Sequence, residues 1–246
     1  MESPFLLPLL FFFVAVIYAS VGFGGGTSYL ALMALLGVDF MVMRPAALLC
    51  NIVVVAGGTL IFYREGHLNL KKNLPLVAAS IPLAFFGGYY RLSESAFFIL
   101  LGISLIIASL LLLWSRPEPR ASGITDNTLF NVILGGGIGF LSGLVSIGGG
   151  IFLAPVLHLI NWDNGKKIAA LASFFILVNS VAGLLGQLAQ SVQPDWSFIL
   201  PLLISVFIGG QIGSRLGATY FNVVYVRRIT ALLILVAGVN ILKDHL

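Results

Sequence analysis

The chain has 246 residues, of which 59% are hydrophobic and only 9% charged, whereas soluble domains carry roughly 25% charged residues. Mean hydropathy is +1.07. This balance excludes an ordinary soluble enzyme or nucleic-acid-binding domain, so the formal net charge of +4 reads as basic loops at a membrane face.

The first apolar run, Phe5 to Tyr18, has no basic residue before it and the apolar pattern continues after it, so no cleaved signal peptide is expected. It leads into Ala19-Ser20-Val21-Gly22-Phe23-Gly24-Gly25-Gly26-Thr27-Ser28, a glycine-broken segment. Further runs follow at Ala46–Tyr63, Leu74–Tyr90 and Ala96–Trp114. A polar stretch covers Ser115 to Thr128. A second broken segment holds Gly143-Leu144-Val145-Ser146-Ile147-Gly148-Gly149-Gly150, and runs at Ala169–Leu188, Ile199–Ile212 and Ile229–Leu242 complete the chain. Several approach the ~20 residues that span a bilayer. The expected fold is an all-α polytopic integral membrane protein, since a barrel would show short alternating segments instead. Its parts are a first transmembrane repeat at 1–114, a cytoplasmic linker at 115–127 and a second repeat at 128–246.

The two triplets lie 124 positions apart. Gly87-Gly88 and Gly209-Gly210 repeat at 122, and Ala56-Gly57 and Ala182-Gly183 at 126, which points to one duplicated unit. Charge counting selects a topology. With eight plain spans the basic residues divide almost evenly between the faces. If both broken segments enter and return, each half crosses three times and the second half is inverted. Arg64, Lys71, Lys72, Arg116, Arg120, Lys166, Lys167, Arg215, Arg227 and Arg228 then share one face, leaving only Arg44, Arg91 and Lys243 of the 13 on the other. That bias makes the basic loops cytoplasmic and both termini external. Two alternatives stay open at this point: eight plain spans, and re-entry of the first segment alone.

Glycine triplets let the backbone leave helical geometry and approach a ligand. Inside a bilayer such a break must lie within protein or line a cavity. A helix restarting after each triplet would aim free N–H groups at an anion. The expected substrate-binding residues are Gly24, Gly25, Gly26, Thr27 and Ser28 from the first half, with Ser146, Gly148, Gly149 and Gly150 from the second. Asn51, Ser173 and Asn179 inside the following runs join them as residues of the path. Close helix packing through small residues is the competing explanation, and Gly139 and Gly143 have that spacing. Gln187 reads as nearer the membrane surface. Arg44, like the other ionisable residues, reads as lying near a segment end, so no buried proton relay is expected. Cys50 is the lone cysteine, and His67, His158 and His245 have no metal-ligand spacing. No Gly-Lys-Ser/Thr follows either triplet, which leaves nucleotide binding without support. No cofactor, no metal and no enzymatic activity are expected.

Gly139 to Leu157, with its core Ser142-Gly143-Leu144-Val145-Ser146-Ile147-Gly148-Gly149-Gly150 and the following Pro155, resembles the signature of the TauE/SafE sulfite exporter family, also called TSUP anion permeases. Ala19 to Gly26 resembles its first-half counterpart, without the proline, and Ala169 to Ser173 the start of the next helix. The resemblance covers essentially the whole chain. It implies a plasma-membrane transporter of small sulfur oxyanions or organosulfonates, sulfite among them, with the two triplets and Ser146 as the anion site. Secondary transport by alternating access is the expected function, with export favoured by the membrane potential. An anion channel and an ion-coupled importer are the alternatives. Partners are the small anion and membrane lipid, with no nucleic acid; the oligomeric state is left open.

Overall fold

The structure is a computed structural model that describes residues 5–114, 127–192, 194–217 and 223–245. They hold α1 (Leu6–Ala19), α2 (Gly26–Leu35), α3 (Phe40–Arg64), α4 (Leu70–Tyr89), α5 (Glu94–Trp114), α6 (Thr128–Val145), α7 (Gly150–Leu159), α8 (Gly165–Ala189), α9 (Trp196–Gly217) and α10 (Val223–His245), with no strand among the described residues. The linker expected at 115–127 lies outside the described residues except for Asn127, which caps α6 by accepting from the Phe130 N–H. Five helices (α3, α5, α6, α8 and α9) are long and apolar enough to cross a bilayer. The two breaks differ here, since α6 has 18 residues and its counterpart α1 has 14.

The helices α3, α4 and α8 carry side-chain caps. Asp39, Asn69 and Asn164 accept from the N–H groups of Met41, Lys72 and Lys167, as N-cap residues do. The helices that begin at the breaks do not. α2 starts after Gly25 (φ 90°) and α7 after Gly149 (φ 82°), neither with a side-chain cap. Both residues occupy the left-handed region that disfavours a side chain. At the first break the chain turns back on itself. Phe11 of α1 stacks on Tyr29 of α2 with ring centroids 4.4 Å apart, although a straight helix would separate such residues by about 27 Å.

The packing repeats across the halves. α4 lies on α6 as α9 lies on α1; α2 touches α10 as α7 touches α5; α4 meets α8 as α9 meets α3. α3 and α8, which are counterparts, pack on each other, and so do α5 and α10. Both of these pairs are antiparallel. Thr59 bonds Ser173 while Leu48 faces Gly183, and Ser109 bonds the Ala231 carbonyl while Gly102 faces Leu242. The breaks thus hold each half's α1–α2 or α6–α7 unit against helices of the other half.

Glycines set the closest crossings. Gly135, Gly139 and Gly143 of α6 lie directly on the backbone of Leu76, Ser80 and Ala84 of α4, so the two helices run parallel in backbone contact. The Gly139/Gly143 spacing is therefore packing, as the competing explanation held. The equivalent α1–α9 crossing places its glycines on the other partner, with Gly209 on Phe12 and Gly213 on Val16. These contacts revise the register of the repeat. Gly87 sits on Phe140 as Gly213 sits on Val16, so Gly87 corresponds to Gly213 and not to Gly209. Gly139→Leu is expected to destabilise the fold by about 1–3 kcal/mol or more through overpacking. Gly137→Leu, where nothing lies within 4 Å, should leave the melting temperature in detergent unchanged.

One ion pair ties two loops together. Lys72 Nζ lies 2.8 Å from Asp163 Oδ2, and Lys167 Nζ lies 3.3 Å from Oδ1. The Asp163 carboxyl is pushed up by burial, but hydrogen bonds from Lys72, the Asn164 N–H and Lys167 outweigh this and hold it below the usual carboxylate value. A depressed folded-state pKa stabilises above the unfolded value and is lost as pH falls through the folded one. Asp163→Asn should therefore lower the melting temperature at neutral pH. The gap to wild type should close as the buffer is taken below the carboxylate range.

Candidate functional site

The two breaks meet. A Cβ on Gly26 would press on the Asn51 amide and lie 2.9 Å from the Ile147 carbonyl; one on Gly148 would lie 3.0 Å from Asn51 Nδ2. Gly24 also rests on Asn51. Asn51, from α3, sits at the junction, fully buried, with Nδ2 donating to the Ile147 carbonyl at 2.9 Å. Its symmetry counterpart, 125 positions on, is Ile176 of α8, which packs on Gly24, Gly148 and Gly150. The junction is thus built on a two-fold pattern but has one amide and one alkyl wall.

Several polar groups converge there without protein partners. Asn51 Oδ1, Ser142 Oγ and Ser180 Oγ are buried and make no hydrogen bond. Ser180 Oγ lies 2.8 Å from where a Cβ of Gly148 would be, and Ser142 Cβ lies 3.1 Å from that of Gly149. The N–H groups of Gly26, Thr27 and Ser28 and of Gly150 and Ile151 take part in none of the described hydrogen bonds. Leaving a buried polar group unpaired costs about 1–3 kcal/mol, so several together at one junction mark a place suited to a polar ligand.

The other expected site residues divide. Thr27 and Ser28 are buried, but their hydroxyls face Tyr18, whose OH lies 3.4 and 2.7 Å away. Ser173 bonds Thr59 at 2.9 Å and the Val55 carbonyl at 3.4 Å, an interhelical contact between α3 and α8. Asn179 donates to the Phe175 carbonyl of its own helix at 2.8 Å and keeps a buried, unpartnered Oδ1. Ser146, in the left-handed region at φ 58°, accepts from Gln187 Nε2 at 2.8 Å and from Arg44 Nε at 3.4 Å.

Those last two partners are more enclosed than their places near helix ends suggest. Gln187 is 1% exposed and Arg44 7%, so both are buried within the protein. Arg44 begins only a turn into α3, but α6 ends against it and Phe40 and Phe97 cover it, each ring centroid 5.5 Å from the guanidinium carbon. Tyr18 and Ser180 are further residues that sequence reasoning missed. Tyr18 was legible only as the last aromatic of an apolar run, and Ser180 as a small polar group four positions after Ile176.

A cleft of about 620 Å³ leads toward the junction, a volume ordinary for a small-molecule site. Its mouth carries Glu65, His67 and Lys166, and its inner end reaches Phe23, the residue before the first triplet. His158 lines its wall.

The family model described as "Sulfite exporter TauE/SafE" matches residues 7–241. The chain is 34% identical to "Probable membrane transporter protein y4hK" of Sinorhizobium fredii, over 96% of this chain and 97% of that one. It is 26% identical to "Probable membrane transporter protein YjnA" of Bacillus subtilis, covering 94% and 96% of the two chains. It is also 26% identical to "Probable membrane transporter protein MJ0441" of Methanocaldococcus jannaschii, covering 78% and 76%. No solved structure matches. A chain with five bilayer-length apolar helices among its described residues, matched by this family over residues 7–241, belongs to the TauE/SafE sulfite exporter family of membrane transporters.

Proposed function

We propose that the protein is a secondary transporter that exports a small sulfur oxyanion, sulfite or a close relative, through the junction of the two glycine triplets. The observation that carries this reading is the meeting of Gly24–Gly26 and Gly148–Gly150 around Asn51, with uncapped helix starts on both sides. Each helix start offers N–H donors and a positive dipole end to an anion. The unpartnered acceptor Asn51 Oδ1 suits an oxyanion that also carries a proton, as hydrogensulfite does. The family's description as a sulfite exporter supports the substrate class, and the relatives' names support transport.

The halves are inverted repeats in this reading, and both broken segments re-enter. The antiparallel α3/α8 and α5/α10 pairs support it: counterparts related by an axis in the membrane plane run antiparallel, whereas eight plain spans would make both pairs parallel. The Lys72–Asp163 ion pair supports it too, because plain spans would put those loops on opposite faces. The basic loops face the cytoplasm, so the 620 Å³ cleft opens inward. Purified protein in vesicles should take up sulfite saturably and show counterflow of labelled sulfite. Non-saturating flux would make it a channel, and absence of flux with every sulfur oxyanion would remove the substrate class.

A further inference from the structure

The two-fold pattern relates the open cleft to a filled space. Gly22 and Ser146 are 124 positions apart and both have positive φ. Gly22 faces Ala169 and Phe62, 3.3 and 3.5 Å from where its Cβ would be, beside the cleft. Ser146 faces Arg44 and Gln187, the residues 125 positions from those two. The same exchange continues outward. A Cβ on Gly88 would collide with the Gly183 carbonyl, so α4 and α8 touch on this side. The residues at the places of Gly88 and Gly183 in the other half are Ser214, which has a side chain, and Gly58, and both line the cleft. One side is open where the other is shut by an arginine.

That arginine is held loosely for a buried charge. No carboxylate lies within ion-pair distance of it among the described residues. Its polar partners are the Ser146 hydroxyl at 3.4 Å and the Leu144 carbonyl at 3.3 Å, both beyond the usual range of about 2.7–3.2 Å. The faces of Phe40 and Phe97 also lie against it. A guanidinium taken out of water without a counter-ion is costly. An anion supplies what the protein withholds.

We infer that Arg44 is the gate cation of the closed face, and that it exchanges Leu144 and Ser146 for the transported anion when that face opens. This rests on the anion-transport reading above. The site takes a compact oxyanion, because a guanidinium offers parallel N–H donors to two oxygens. With the gate shut, Gln187 and Arg44 together hold the Ser146 turn and seal the end of α6.

Two arms test it. In vesicles of sorted orientation, with sulfite as probe, Arg44→Gln should raise KM about tenfold to a hundredfold from the Arg91 face. Arg44→Lys should raise it less, and KM from the Lys72 face should stay unchanged. Equal KM values for wild type and Arg44→Gln at the Arg91 face would overturn the inference. The second arm needs no flux. In a Cys50→Ala background, the thiol introduced by Ser146→Cys should resist an impermeant maleimide at the Arg91 face and react once Arg44→Ala, or Arg44→Gln if that variant does not fold, is added. Equal labelling with and without Arg44 would overturn the gate. If no sulfur oxyanion moves but the labelling contrast holds, the substrate reading falls and the gate stands.

Discussion

Gly26→Ala should reduce saturable sulfite flux by about ten- to a hundredfold, with a loss of stability no larger than the roughly 1–3 kcal/mol of overpacking by one methyl. Gly26 has an ordinary φ, and alanine is the better helix former by about 1 kcal/mol, so α2 itself loses nothing. The added carbon instead enters the space between the Asn51 amide and the Ile147 carbonyl, 2.9 Å from the latter. That carbonyl is held by Asn51 Nδ2 and cannot swing aside. Flux in vesicles and melting temperature in detergent separate the two effects. Unchanged flux would place the anion elsewhere. Gly149→Val is the contrasting case. It forces a branched side chain to φ 82° and puts its Cβ 2.8 Å from the Phe175 ring. It should stop flux as well, but with a larger loss of stability than Gly26→Ala, because backbone strain adds to the overpacking.

The breaks were legible because three adjacent glycines inside an apolar run have few other uses, and both helices restart within a residue of the triplets. Asn51 was legible as a polar group inside a span, but nothing in the sequence placed it where the two breaks meet. What escaped the sequence was burial created by distant segments. Arg44 follows the start of α3 by four residues and so reads as an end group; α6 and Phe97, about fifty or more positions away, are what cover it. The burial of Gln187 escaped for the same reason, since it lies two residues from the end of α8 yet is bonded to Ser146 across 41 positions. Thr27 and Ser28 read correctly as polar groups beside the break, but nothing local shows that the chain reverses and brings Tyr18 to them. The repeat register slipped because α4 and α9 carry glycine pairs at different helical positions. Glycines were free to move between the two partners of a crossing, since either one can supply the missing side chain.

Single cysteines at Lys71 and Lys166 should label from one face of the membrane, and those at Gly37, Glu94 and Ser191 from the other, all in a Cys50→Ala background. Each position is exposed in a loop or at a helix end, and Cys50 itself is buried. Eight plain spans predict the reverse within each comparison: Lys71 opposite Lys166, and Glu94 opposite Ser191. The result is all-or-none, so an impermeant maleimide added before or after permeabilisation is sufficient. Opposite labelling of Lys71→Cys and Lys166→Cys would conflict with the 2.8 Å ion pair between their loops and would sink the inverted arrangement. The direction of the two-fold axis matters for mechanism. Only an axis in the membrane plane exchanges the two faces, so only then does swapping the conformations of the halves close the cleft beside Gly22 and open the space now filled by Arg44. An axis along the membrane normal would carry the open cleft to another point on the same face, and the asymmetry between Ala169 and Arg44 would have no part in access.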